Sequence, residues 1–287
     1  MSVTSLNRRT RARVVAAAMQ KGGVGKTTTI INLARAAVRK GLRVLVVDLD
    51  PQGNTTDALE LETLPEGTIS IADALNPIAT DRVPLADVIV KTIWAGVDLA
   101  PVTDAEALIT VESLIGSAHH GREYRLREAL APLMGDYDLI LIDNAPSLGL
   151  LLVNALAADE EDEQVVVVME ADRWSTKGLV MLRKTIEGVQ RYSNRNLRWG
   201  PIVISKWRAT RDEKEKLHEV AEFFPEADVM AREDDGYRDA IPLWNAIKTT
   251  INEGKGMDES SDTRLRVTLA ELYDRIVDRL MTDRNAA

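Results

Sequence analysis

Lys21-Gly22-Gly23-Val24-Gly25-Lys26-Thr27-Thr28 is the stretch from which the fold of this 287-residue chain is read. It follows an apolar run, Val14 to Met19, and leads into a segment in which Ile30, Leu33, Ala34, Ala37 and Val38 recur at helical spacing. The order is therefore strand, loop, helix. Glycines at 22, 23 and 25 let the backbone turn tightly enough to aim successive N–H groups inward, and the helix that follows adds the positive end of its dipole. Such a loop is a cradle for phosphates. Lys26 supplies a point charge for β- and γ-phosphates, and the Thr27 hydroxyl is placed to join the coordination shell of Mg²⁺. Residues 21 to 28 are accordingly the expected nucleotide-binding set, with ATP and Mg²⁺ as cofactors.

The usual pattern G-x-x-x-x-G-K-[ST] requires glycine at position 20, where this chain has Gln20. The next position carries a second lysine, Lys21, which a phosphate loop does not need for its own nucleotide. A glycine-rich turn that binds nothing is the bland alternative; three glycines, two lysines and two threonines at this spacing weigh against it. A dinucleotide site is the sharper rival, since Gly23-Val24-Gly25 begins a G-x-G-x-x-G and Asp48 ends the next strand. Thr28, however, stands where the third glycine would permit close helix packing. The K-G-G-x-G-K-T-T form resembles the deviant Walker A loop of the ParA/Soj/MinD ATPases. In that family the extra lysine reaches across a dimer interface to the partner's ATP. The resemblance implies a homodimer closed over two nucleotides, in which Lys21 senses or stabilises the γ-phosphate held by the other protomer.

Beyond that helix, Arg43-Val44-Leu45-Val46-Val47-Asp48 reads as a buried strand ending in a carboxylate, and the chain continues Leu49-Asp50-Pro51-Gln52-Gly53-Asn54. The carboxyl ends of strands face the ligand crevice in open α/β sheets, so Asp48 and Asp50 belong near the phosphates. Two acids before Pro and Gly also suit a plain turn. The D-x-D-P-Q-G-N run closely resembles the family, which implies that Asp50 positions the attacking water and that Asp48 sits near the metal's water shell. Tyr137 to Asp143 is a second buried strand ending in Asp, the Walker B pattern, in which Asp143 holds Mg²⁺ through water. Asn144-Ala145-Pro146 follows where the family usually has Thr-Pro-Pro, a departure that bears on the switch loop. Lys21, Lys26 and Asp50 are the expected catalytic residues, and Thr27, Asp48 and Asp143 the expected metal set.

The remaining segments alternate. Residues 55 to 96 carry turn punctuation between short helical pieces, Val97 to Pro101 reads as a strand, and residues 104 to 134 as helix broken around Gly116 to Gly121. His119 and His120 fall in that break and lack the spacing of a zinc pair. Helices are expected at Ser147 to Ala157, Thr176 to Arg191 and Asp212 to Phe224. Strands are expected at Val165 to Met169, Pro201 to Ser205 and, briefly, Ala227 to Met230. The acidic run Asp159 to Glu163 reads as a solvated loop. The last helix, Thr263 to Met281, puts Leu265, Leu269, Leu272, Ile276 and Leu280 on one face. MinD-type relatives end in an amphipathic membrane anchor. Here Asp274, Asp278 and Asp283 mix with Arg275, Arg279 and Arg284, so packing against the domain is the expected use.

The expected fold is a single α/β domain over residues 14–281, with a mostly parallel twisted sheet of about seven strands flanked by helices. Residues 1–13, with Arg8, Arg9, Arg11 and Arg13, read as a mobile basic arm, and 282–287 as a tail. With no cysteine there is no disulfide framework, thiol nucleophile or iron–sulfur ligand set. No stretch approaches the roughly 18 apolar residues of a membrane span, and a cytoplasmic location is expected. The net charge of -9 repels nucleic acid, so any such partner needs a local patch. Arg183 to Lys216 holds ten basic residues against four acidic ones. Arg191, Arg195, Arg198, Lys206, Arg208 and Arg211 are its candidate DNA contacts. From Glu219 to Asp239 eight acids face two arginines, Arg232 and Arg238. Glu233-Asp234-Asp235 stands about where the family carries a basic residue for DNA, and the two arginines are candidate substitutes. Trp199 and Trp207 flank the patch and are read as core or edge aromatics.

The resemblance implies an ATPase that segregates plasmid, phage or chromosomal DNA. Its dimer would bind DNA without sequence preference and answer to a centromere-binding, ParB-like partner. The alternatives are an ATPase positioning a protein cargo or acting at a membrane surface, and a nucleotide-gated scaffold without useful turnover.

Overall fold

A computed structural model describes residues 10–60, 62–65, 67–78, 82–225, 227–231, 236–237 and 239–282. Eight strands form one sheet: β1 (Arg13–Ala18), β2 (Val44–Leu49), β3 (Val90–Lys91), β4 (Val97–Ala100), β5 (Leu139–Asn144), β6 (Glu163–Glu170), β7 (Arg198–Ser205) and β8 (Asp228–Val229). Their spatial order is β3-β4-β2-β5-β1-β6-β7-β8, and only β3 runs antiparallel to its neighbour. The helices are α1 (Lys26–Arg39), α2 (Asn54–Leu59), α3 (Ile71–Leu75), α4 (Leu85–Val88), α5 (Ala105–Ser117) and α6 (Arg125–Leu130). They continue with α7 (Leu150–Leu156), α8 (Arg173–Tyr192), α9 (Arg211–Phe223), α10 (Asn245–Asn252) and α11 (Ala270–Met281).

β1, β2 and β5 are buried along their whole length, which is why each reads as a near-continuous apolar run instead of an alternating one. β1 lies between β5 and β6, so the chain leaves it toward β2 on one side and β6 lies on the other. That reversal opens the ligand crevice at the carboxyl end of β1, where the glycine-rich loop begins.

The sequence expectation of about seven strands falls one short. Val90–Lys91 forms β3 inside the region read as turns and short helical pieces, and two residues are too few to show an alternating pattern. The expected mobile arm also ends too late. Arg13 is the first residue of β1, 1 % exposed, with its Nε donating to Asp162 at 2.9 Å and a further bond to the Leu280 carbonyl. Arg11 donates to Asp159 at 2.5 Å. The acidic run read as a solvated loop lies opposite these arginines because β1 and β6 pair in parallel, Val14 beside Glu163. Arg8, Arg9 and residues 283–287 lie outside the described residues.

The final helix is entered through a π-helical turn, Leu265–Leu269, before α11. Leu265, Leu269, Leu272, Ile276 and Leu280 are all buried. α11 lies along α1, with Arg39 reaching Asp274 at 3.2 Å and Lys40 reaching Asp278 at 2.8 Å. Its apolar face is thus used in packing against the domain.

Candidate functional site: a phosphate loop and its acidic floor

The loop between β1 and α1 turns where the glycines permit it. Gly23 (φ 72°) and Gly25 (φ 94°) adopt the left-handed region, and Gly25 stands immediately before the first turn of α1. A Cβ on Gly22 would meet the Pro146 ring at 3.7 Å, so the loop rests on the segment that follows β5. Val24 is buried, Lys26 is 6 % exposed, and the Lys26 Nζ donates to the Met19 carbonyl at 3.4 Å. Thr28 gives its carbonyl to the Asn32 amide at 2.8 Å, inside α1.

Beneath the loop lie two carboxylates in register on adjacent strands, Asp48 on β2 and Asp143 on β5. The Thr27 hydroxyl and the Thr55 hydroxyl both donate to Asp143 Oδ2 at 2.6 Å. Asp143 Oδ1 is buried and has no hydrogen-bond partner among the described residues. A buried anionic oxygen without a donor is costly unless a cation or ligand completes it. An oxygen of this kind beside a threonine hydroxyl and a phosphate cradle fits a hard divalent cation such as Mg²⁺.

Asp48, expected near the metal's water shell, lies in register with Asp143 but has partners of its own. Its Oδ1 accepts from the Asp50 N–H at 3.1 Å, and its Oδ2 accepts from the Thr56 N–H at 2.9 Å and the Thr56 hydroxyl at 2.8 Å. Both oxygens are engaged by the turn between β2 and α2, so Asp48 fixes that turn. The Asp50 carboxylate, in a residue 9 % exposed, accepts from the Gln52 N–H at 3.0 Å through Oδ1, and Oδ2 has no donor among the described residues.

Electrostatics follow from burial. Desolvation, reinforced by the charge of Asp143, pushes Asp48 up to about 7. Desolvation likewise raises Asp143, opposed by the Thr27 and Thr55 hydroxyls and by Lys26. Lys26 is lowered by its own burial, with Asp143 and Asp50 holding its charge in part. The site as it stands has an unmet demand for positive charge at its floor.

Lys21 is directed elsewhere. Its Nζ lies 2.5 Å from Asp172 and 3.2 Å from Glu170, both in the connection from β6 to α8. Burial works against its charge, but the hydrogen bonds to Asp172 and Glu170 more than offset this and hold it above the ordinary lysine value. Asp172 also caps α8, accepting from the Ser175 N–H at 2.7 Å. Sequence reading did not single out Glu170 and Asp172. It missed Thr55 too, and Ser205, whose hydroxyl donates to the Val24 carbonyl at 2.6 Å and ties the end of β7 to the loop. An isolated Thr or Ser gives no spacing signal.

The basic run does not make one patch. β7 is about 23 Å long, with Arg198 at its first residue and Lys206 just past its last. Arg191 and Arg195 lie at the end of α8 and in the turn before β7, on the Arg198 side. Arg198 bonds to Asp162; Lys206 pairs with Glu170 at 3.0 Å, Arg208 with Glu213 at 3.1 Å and Arg211 with Glu215 at 2.9 Å. Arg232 and Arg238, with Glu233 to Asp235, lie outside the described residues. Trp199 is buried against Phe224, with centroids 5.9 Å apart, and Trp207 stacks on Tyr237 at 5.1 Å. His119 and His120 are exposed in a bend.

Residues 12–199 match a family described as an AAA domain. The chain is 34 % identical to the sporulation initiation inhibitor protein Soj of Bacillus subtilis, over 85 % of this chain and 89 % of that protein. It is 39 % identical to the chromosome partitioning protein ParA of Caulobacter vibrioides, over 68 % of this chain and 70 % of that protein. Among solved structures it is similar to cobyrinic acid a,c-diamide synthase from Mycobacterium smegmatis with bound ADP and magnesium, at 30 % identity, a TM-score of 0.73 and 94 % of each chain. McdA of Cyanothece in complex with ATP shares the fold, with a TM-score of 0.80 over 96 % of this chain and 99 % of that one, at 19 % identity.

Proposed function

The chain belongs to the ParA/Soj/MinD family of ATPases, and on that footing we propose that it is a ParA-type DNA partition ATPase. In this reading the ATP-bound homodimer holds DNA without sequence preference. A centromere-binding, ParB-like protein then stimulates hydrolysis and releases it. Lys26 and the loop N–H groups receive the phosphates, and Thr27 and Asp143 hold Mg²⁺. When bound, the metal neutralises charge on the β- and γ-phosphate oxygens. Asp50 orients the attacking water with its unengaged oxygen. Lys21 leaves Asp172 and Glu170 to meet the nucleotide of the other protomer. Because these roles are positional and electrostatic, turnover is slow until a partner completes the site.

The observation that carries this reading is the placement of Lys21. Its ammonium group is bonded to acids outside its own loop, so its charge is not committed to its own nucleotide. The test is DNA binding with ATP, ADP and no nucleotide at two salt concentrations, with light scattering to follow mass. ATP-specific dimerisation together with ATP-specific, salt-sensitive DNA binding is expected. Equal binding in all three states, or none, sinks the proposal.

A second reading, an ATPase positioning a protein cargo, gains from the pairing of Lys206, Arg208 and Arg211 with local acids. It expects ATP-dependent capture of a protein complex in the absence of DNA.

A further inference from the structure

A row of cations without an ion pair among the described residues lies along α8. Arg173, Lys177, Lys184 and Arg191 recur along α8 at spacings of four, seven and seven, which place them on one side of the helix. All four are exposed, and none has a carboxylate partner among the described residues. The acid on that side, Glu187, is held by Arg183 at 3.0 Å. The row spans about 27 Å from Arg173 to Arg191. Trp174 (71 % exposed) flanks it at one end and Tyr192 (76 % exposed) at the other. Lys177 lies 5.2 Å from the Trp174 ring centroid and Arg191 5.7 Å from that of Tyr192. In a chain carrying a net -9, an unneutralised row of this length is a local reversal of sign.

We propose that the exposed face of α8 is the surface that meets the phosphate backbone of duplex DNA. This rests on the partition reading above and relocates its DNA contacts from the β7 region to this helix. A line of single cations along a convex helix face complements the repeated charges of a nucleic-acid strand. An acidic protein segment is the rival occupant, and Val180 and Met181, both exposed between Lys177 and Lys184, favour it. The row of cations on either side of them, without acidic partners among the described residues, favours the polyanion. The first turn of α8 adjoins Lys21 through Asp172, so in an ATP-closed dimer both rows start beside the seam. Dimerisation then doubles the number of phosphates met at once, which makes DNA affinity depend on ATP without any change within α8.

The test compares wild type, Lys177→Ala/Lys184→Ala/Arg191→Ala and Arg208→Ala/Arg211→Ala. Each is loaded with a non-hydrolysable ATP analogue and titrated against a fluorescent random-sequence duplex between about 50 and 200 mM salt. Alanine suits an exposed helix, and ATP-analogue binding and ATP-dependent dimerisation are expected to survive in both variants. The α8 variant is expected to bind DNA more weakly, with the slope of log affinity against log salt shallower by about 0.9 for each cation removed. The Arg208/Arg211 variant is expected to match wild type. Wild-type DNA binding by the α8 variant overturns this assignment and leaves the partition reading standing. Absence of ATP-dependent DNA binding in the wild type overturns both. Polyglutamate competing as well as unlabelled duplex does would identify an acidic-protein surface and overturn the nucleic-acid assignment.

Discussion

Asp50 stands at the end of the β2 turn with one oxygen held by the Gln52 N–H and the other without a donor among the described residues. Asp50→Ala is therefore expected to leave ATP binding intact while lowering partner-stimulated turnover by about 10²–10⁴-fold, the usual scale for a positioned proton acceptor. Wild-type phosphate release by that variant would rule the role out. Lys21 poses a competition between two sets of acceptors. Asp172→Asn keeps the cap on α8, because Asn caps a helix as well as Asp, but removes the charge that holds the ammonium group. Dimerisation with an ATP analogue is expected to tighten by up to about fivefold for each lysine freed, read by analytical ultracentrifugation. Weaker association would show that the pair supports the dimer instead of opposing it. Glu163 is a separate case. Burial raises its pKa well above the ordinary glutamate value, and its Oε1 has no partner among the described residues. A carboxyl raised by folding contributes stability that is complete at low pH and is lost as pH climbs toward the folded value. Glu163→Gln removes that titration, so the wild type should lose stability relative to the variant in urea melts as pH rises from about 4 toward neutrality. Parallel pH profiles would contradict the assignment.

At the level of elements, the strand, loop and helix around Lys26, the acids ending β2 and the strand ending at Asp143 were legible in the sequence. Each is an apolar run closed by chemistry of fixed spacing. What was not legible is contact between distant elements. The five acids that meet Arg11, Arg13 and Lys21 come from the run before β6 and from its far end, and the parallel pairing of β1 with β6 brings them there. The basic run failed as a patch for a related reason. Neighbours in sequence lie at opposite ends of an extended strand, whereas the cations of α8, spread over 19 residues of sequence, return to one side every turn or two. The hydroxyl of Ser205 joins β7 to the loop through Val24. Ser205→Ala is expected to cost about 1–3 kcal/mol in unfolding free energy and to weaken ATP binding by loosening the loop. An unchanged affinity would confine the residue to stability.

For the whole molecule, α11 is the seal on the nucleotide helix. Leu272 is fully buried, and Leu272→Ala is expected to cost about 2–5 kcal/mol, seen as a lower urea midpoint with nucleotide absent. A change near zero would mean that α11 docks loosely. The sheet itself finishes in stubs: β3 at one margin and β8 at the other are two residues each. A long bare margin offers its unpaired backbone groups as a template for a neighbouring chain, and here that template is only two residues deep on either side. Extended polymers of this protein, where they form, would therefore be glued by side-chain faces and nucleotide, not stitched by continuing the sheet from one molecule to the next.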